Sequence, residues 1–360
     1  MTRVTLRDSD RPRSSAATAV PIGSARPRAV HRLAFATAAA TFAGIVTGGV
    51  VTSTESGRVD TNWPSFDGNV LPSFSAMAQN DGLLVEHGHR LLMASVGLLA
   101  LAIPIVARCC GESRRRVRVL AICLPFLVLP PAILGGLTVL GGLHPALSIL
   151  HVAVAMVFVS AVTAVSVLTS RVWFEAAERY GADSLEASAR ERLAKNISGL
   201  PAIAATATAF IWVQIVLGAV PRHATADVGG STMLMVGNVV HIVWAFAVVT
   251  IALFLAGRVL GRLSKVADLL RPAAGLFVLL LVQVFLGFAT FISQPKAPAP
   301  VVDEHPGFVA SGSHEALASV HQAAGVLILL VSLVLTLRAF RIRDLCGRFD
   351  PAPATGGDPA

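Results

Sequence analysis

The chain has 360 residues, of which 54% are hydrophobic and only 14% charged, and its mean hydropathy is +0.70. Soluble domains carry about a quarter charged residues, so the composition excludes an ordinary water-soluble globule and makes a lipid bilayer the solvent. The formal net charge of +8 would suit nucleic acid, but its distribution among the loops excludes that partner.

A membrane-crossing helix needs about 20 predominantly apolar residues. Residues 1–31, rich in Arg, Ala, Ser and Pro, precede the first such run and read as a disordered cytoplasmic tail, with an organellar transit sequence as the alternative. Eight apolar runs follow, at roughly 32–53, 88–107, 119–141, 146–169, 198–219, 234–257, 272–293 and 315–338. Of the 29 Lys and Arg, 25 then fall on one side, leaving Arg58, Arg90, Arg222 and Lys296 on the other. Positive charge marks the cytoplasmic side, so both termini are expected there. Residues 339–360 form a second tail, its end from 347 onward expected to be disordered. Cys109, Cys110, Cys123 and Cys346 all avoid the outer loops, so no stabilising disulfide is expected.

Four spans precede the longest inner charged loop, 171–197, and four follow it. An even number of spans per half gives both halves one orientation, as in parallel repeats. The fold expected is therefore an all-α membrane protein of two pseudo-symmetric, like-oriented four-helix bundles, 32–170 and 198–338. Internal echoes support this. "HPALSILH" (144–151) returns as "HEALASVH" (314–321), at the outer start of the fourth and eighth spans. "VQIVLGA" (213–219) returns as "VQVFLGF" (282–288) in the fifth and seventh. Gly218 and Gly287 in those echoes let neighbouring helices approach closely.

One histidine lies within apolar helix on each even-numbered span, at matching depth on the outer side: His89, His151, His241 and His321. An ionisable group in that setting is a functional hypothesis; the structural alternative is a neutral ring bonded to a neighbouring helix. Two imidazoles facing across a bundle can ligate a haem iron. Zinc suits the pattern less, since its sites take three or four protein ligands. His144 and His314 lie seven residues, about 10 Å of helix rise, further out. Pro145 suits a first helical turn, so His144 is expected to cap its helix and the outer pair to take interfacial or supporting roles. His87, His223 and His305 read as solvated outer residues.

The segment "VEHGHRLLMASVGLL" (85–99) places Glu86 and His89 on one helix face. A carboxylate there can move protons or orient the ring. Arg90 suits either a haem propionate, which a guanidinium fork fits, or an interfacial ion pair. Asp60 and Asp67 in the first outer loop are assigned no chemistry.

Glu-x-x-His-Arg at the head of the second span resembles the haem A synthase family of cytochrome oxidase assembly proteins. So do "GGVVTSTESGRVDTNWPSFDGNVLPSF" (48–74), "GGLTVLGGLHPALSILH" (135–151), "QIVLGAVPRHATA" (214–226) and "HQAAGVLILL" (321–330). The resemblance runs in order from about 40 to 338. It implies two bundles with haem at the outer side of each: haem O as substrate between His89 and His151, and haem b as cofactor between His241 and His321. Glu86 would be catalytic, and Arg90, His144, Arg222 and His314 would contact propionates or support the ligands. The implied reaction oxidises one methyl group of haem O to formyl. The implied partners are an upstream farnesyltransferase that supplies haem O, terminal oxidase subunits and an electron donor. The Arg-rich, Lys-poor composition fits a bacterial plasma membrane, with an organellar inner membrane as the alternative. Many members carry a cysteine pair in the first outer loop; this chain has none there. A non-catalytic di-haem electron carrier or haem-handling assembly factor is the alternative. A transporter would place its polar residues near the midplane, whereas here they gather at the outer ends.

Overall fold

The computed structural model describes residues 28–66, 68–142, 144–181, 184–223, 230–294 and 312–347. Helices dominate it: α1 (Arg28–Ser53), α2 (Phe74–Gln79), α3 (Asp81–Cys109), α4 (Arg115–Leu140), α5 (Pro145–Thr169), α6 (Arg171–Tyr180), α7 (Ala187–Ile197), α8 (Leu200–Arg222), α9 (Gly230–Arg262), α10 (Ala267–Ile292) and α11 (Ser313–Cys346). Among the described residues the β structure amounts to one isolated bridge, Phe66 to Asn69. Eight helices, α1, α3, α4, α5, α8, α9, α10 and α11, are long and apolar enough to cross a membrane. The eight expected spans are present, and the chain is an all-α integral membrane protein.

Some boundaries differ from expectation for physical reasons. Helix α1 begins at Arg28, inside the expected tail. Helix α3 starts at Asp81, where Asn80 accepts a hydrogen bond from the Leu83 N–H at 3.1 Å. Asp81, Glu86 and His87 interrupt its first two turns, so a purely apolar window misses them. Helix α11 runs on to Cys346, and its late turns pack against α6 and α7. The expected linker 171–197 is itself built into α6 and α7. The expected disorder of 1–27 and 348–360, and the residues Asp67, Lys296 and His305, lie outside the described residues.

Each half closes on itself. Helix α1 packs on α3 and α5, and α4 on the same two; α8 packs on α9 and α11, and α10 on those two. So α3 lies diagonal to α5, and α9 to α11. The halves meet where α1 and α5 touch α8 and α11. One apolar core fills the first half, from Val30 and Ile103 through Leu124 to Phe158; the other, around Leu255, Leu276 and Leu329, reaches over to Met156 and Val159 of α5. Thr208 ties α8 to Ser332 and Thr336 of α11 at 2.8 and 2.9 Å. Hydroxyl bonds of this kind join helices where burial of apolar surface offers no drive. Phe126, Phe246, Phe254 and Phe285 point outward, a liability in water but matched to hydrocarbon.

Polar residues also brace the end of the bundle remote from these histidines. Arg114 pairs with Glu112 at 2.7 Å, donates to the Leu168 carbonyl at 2.6 Å and lies over the Phe174 ring. Burial alone would raise the Glu112 carboxyl, but the hydrogen bonds and charge of Arg114 outweigh it and hold the group below its ordinary range. Arg179 reaches Asp268 at 3.2 Å, and burial, then the Asp268 charge, pushes the Tyr180 hydroxyl up to about 12. The α6 helix is thus clamped onto the foot of α10.

Candidate functional site

The diagonal helices bring the four deep histidines into pairs. In the second half, His241 of α9 and His321 of α11 face each other with ring centroids 6.3 Å apart and planes at 79°. In the first half, His89 of α3 and His151 of α5 occupy the corresponding diagonal helices. All four rings are half-buried.

Every one of these rings rests on a glycine of an adjacent helix. A Cβ on Gly48 of α1 would stand 3.1 Å from His89 Cε1, and one on Gly135 of α4 would stand 3.2 Å from His151 Cε1. The same relation holds for Gly218 of α8 with His241, at 2.8 Å, and Gly287 of α10 with His321, at 2.9 Å. At Gly218 and Gly287 a Cβ would displace the imidazole, and at Gly48 and Gly135 the ring would have to yield by a few tenths of an ångström. The order is the same in both halves: the first helix seats the ring of the second, and the third seats the ring of the fourth.

Ring orientation is set differently in the two halves. Thr47 donates to the Gly44 carbonyl at 3.0 Å, so its oxygen accepts the His89 Nδ1 proton, also at 3.0 Å. His151 Nδ1 donates to the Pro131 carbonyl at 2.8 Å. Both anchors leave Nε2 as the nitrogen with a lone pair, the arrangement of a metal-binding histidine. In the second half Gln214 and Gln283 stand beside the two Nε2 atoms.

Glu86 sits in a buried charge network at the head of α3. Its Oε1 accepts from Arg90 at 2.5 Å and its Oε2 from the Asp60 backbone N–H at 2.9 Å. Asp60 Oδ2 takes His87 Nε2 at 2.8 Å and Arg90 at 3.2 Å, while Oδ1 accepts from Asn62. Arg90 also donates to the carbonyls of Asp60, Asn62 and Ser65. Two expectations are corrected here. His87 is not solvated but 2% exposed, because it faces the loop carboxylate. Asp60 is not idle; at 4% exposure it joins the outer loop to α3. The interfacial ion-pair alternative for Arg90 describes these contacts, and Arg90 acts on the site by holding Glu86. From the same loop the Trp63 indole packs against Gly136, beside the glycine that seats His151. The loop therefore packs over one end of the first-half site.

The remaining expected residues lie around these centres. His144 caps α5, its Nδ1 accepting from the Ala146 N–H at 3.3 Å, with Pro145 in the first turn. His314 Nδ1 pairs with the Ser293 hydroxyl at 3.1 Å, joining the C-terminal end of α10 to the start of α11. Arg222 lies at the seam between halves, bonded to Ser53 and the Gly49 carbonyl of α1 and to Ser319 of α11. His223, expected to be solvated, is half-buried; burial, then the Arg222 charge, lowers it to about 4. The sequence reading missed Thr47, Asp60, His87 and the ring-facing glutamines; the Val-Gln-x-x-Leu-Gly echo was the available signal for the last.

The donor set fits a haem iron. Among the described residues no three His, Cys, Asp or Glu side chains gather as a metal-ion site, but a porphyrin supplies four nitrogens and needs only an axial pair. Two metal–nitrogen bonds of about 2 Å, plus roughly 1 Å from each nitrogen to its ring centre, place two axial imidazoles about 6 Å apart. The 6.3 Å between His241 and His321 matches that spacing. The Nδ1 atoms of both rings and the Oε1 atoms of Gln214 and Gln283 are buried with no hydrogen-bond partner among the described residues.

Comparison with known proteins gives these features a setting. Residues 31–233 match the family described as "Cytochrome oxidase assembly protein". The "Heme A synthase" of Bacillus cereus (strain AH187) is 25% identical over 181 residues, 50% of this chain and 53% of the relative. That of Bacillus mycoides (strain KBAB4) is 26% identical over 180 residues, 50% and 52% of the two chains. The "Heme A synthase" of Bacillus anthracis (strain CDC 684 / NRRL 3495) is 25% identical over 181 residues, again 50% and 53%. The chain thus spans about half the length of the curated relatives it matches. No solved structure matches it.

Proposed function

Because the chain belongs to the cytochrome oxidase assembly protein family, we propose that it is a haem A synthase, oxidising a methyl group of haem O to formyl. The observation that carries this reading is the repeated pair of imidazoles on diagonal helices, each ring seated on a glycine. The first half, 32–170, takes haem O between His89 and His151. The second, 198–338, holds haem b between His241 and His321. Residues 1–31, 171–197 and 339–360 lie in the cytoplasm as tail, linker and tail, and the membrane is the bacterial plasma membrane. The halves are pseudo-symmetric and like-oriented, as their matching helix neighbours and matching glycine seats support.

The chemistry proceeds from methyl to alcohol to hydrated aldehyde, which loses water. In total R–CH3 + H2O gives R–CHO, four protons and four electrons. Two of the protons come from the methyl carbon and two from water, and dioxygen is the oxidant that takes the electrons. Haem b, when bound, supplies a redox centre beside the substrate half. The chain's own residues do the rest. His89 and His151 hold the substrate porphyrin through anchored rings. Glu86, one turn from His89 and held by Arg90 and the Asp60 N–H, accepts protons from the reacting side. Trp63 and the outer loop cover the site against water. Arg222, His144 and His314 position propionates or the ligands themselves, while Arg90 acts through Glu86. A farnesyltransferase supplies haem O, an electron donor serves the haem b half, and terminal oxidase subunits receive haem A.

The test is extraction of haems from membranes in which the full chain is expressed with a haem O supply. Haem A appearing only with the intact protein supports the synthase; haem b alone would leave an electron carrier. A steric prediction accompanies it. Gly218→Val should overpack the His241 seat, at a cost of about 1–3 kcal/mol. The haem-to-protein ratio of the purified variant should fall while the first-half haem is kept, and an unchanged ratio would refute the seat.

A further inference from the structure

The two glutamines of the repeated Val-Gln-x-x-Leu-Gly motif meet the two second-half histidines at their outermost ring nitrogens. Gln214 Nε2 lies 3.2 Å from His241 Nε2 and 3.2 Å from the His241 carbonyl oxygen. Gln283 Nε2 lies 3.3 Å from His321 Nε2. An amide N–H donates, so each Nε2 is the acceptor and the ring proton resides on Nδ1. That proton is unanswered. Nδ1 of both histidines and Oε1 of both glutamines are buried with no partner among the described residues, an arrangement that native interiors avoid.

The first half differs at the same places. One turn before its seating glycines stand Gly44 and Pro131, where the second half has Gln214 and Gln283. There the Nδ1 protons already have acceptors, the Thr47 hydroxyl and the Pro131 carbonyl. Among the described residues, the amides of Gln214 and Gln283 stand beside the two rings that lack a fixed acceptor.

We infer that Gln214 and Gln283 are positioning residues for the haem of the second half. Once iron holds Nε2 of His241 and His321, the amide oxygens take the Nδ1 protons of those same rings. The inference rests on the reading that this half binds haem through these two histidines. It pairs four orphaned atoms with one another. It also gives the coordinated imidazoles a neutral acceptor that raises their basicity and so lowers the potential of the iron.

The full chain, purified with its haem in detergent, tests this by redox titration followed in the absorption spectrum and by electron paramagnetic resonance of the oxidised form. Gln214→Leu with Gln283→Leu should keep a low-spin haem whose potential is shifted upward and whose g-values are altered. A retained haem with the wild-type potential and g-values overturns the inference. If the leucine variant loses the haem, Gln214→Glu with Gln283→Glu decides: retention through the carboxylate acceptor supports it, and loss there too overturns it. Wild-type protein without haem would instead defeat the underlying haem reading.

Discussion

Glu86→Gln is expected to reduce haem A formation by about 10²–10⁴-fold, the usual contribution of a positioned acid or base. Glutamine keeps the volume and one acceptor for Arg90 or the Asp60 N–H, so haem binding at His89 and His151 should persist. The distinction matters because Glu86 lies three residues from His89, and a variant that merely lost its haem would say nothing about proton movement. Activity and haem content are therefore measured on one preparation, by extraction and by the absorption spectrum. Full activity in Glu86→Gln with haem intact would remove Glu86 from the reaction.

Asp60→Ala should have the largest effect on stability. Asp60 answers Arg90 and His87 in a network where the Asp60 and Glu86 side chains are 2% and 3% exposed and that of Arg90 is 12% exposed. Removing Asp60 leaves the buried His87 ring and one Arg90 N–H without their acceptor, which costs about 1–3 kcal/mol for each group. The outer loop should loosen, with Trp63 leaving Gly136 and Glu86 losing the fixed Asp60 N–H. Thermal unfolding in detergent should report a clear drop in midpoint, and haem O conversion should fall with it. Asp60→Asn, which retains acceptance from Arg90, should lie between the two. A midpoint unchanged in Asp60→Ala would mean that the loop is held by other contacts.

Much of this was legible in the sequence because two signals are strong in a membrane protein. Apolar runs must be long, and an ionisable residue inside one is conspicuous, so the eight spans and His89, His151, His241 and His321 stood out. Their pairing was expected from one histidine on each even-numbered span at matching depth. The charge network at Asp60 was not legible: 27 positions separate it from His87, and loop residues carry no periodicity to fix which face they meet. His87 resembled a solvated residue because it lies in the polar first turns of α3, yet those turns are covered by the loop. Gly218 and Gly287 were readable as close-approach positions, but not the imidazole that fills the space, and Gly48 and Gly135 lacked the echo that marked the other two. The glutamines were visible as a repeated motif without a partner. Helix ends were missed where polar turns continue a span, as at Asp81 and beyond residue 338.

The measurement that bears most directly on the whole account is haem content and spectrum of the purified full chain beside His241→Ala with His321→Ala. The wild type, grown with ample iron, should be coloured, with a low-spin spectrum typical of two imidazole ligands. The double variant should lose the second-half haem while the first-half site still takes up haem O. A colourless wild type, or a double variant with the same spectrum and haem-to-protein ratio, would contradict it.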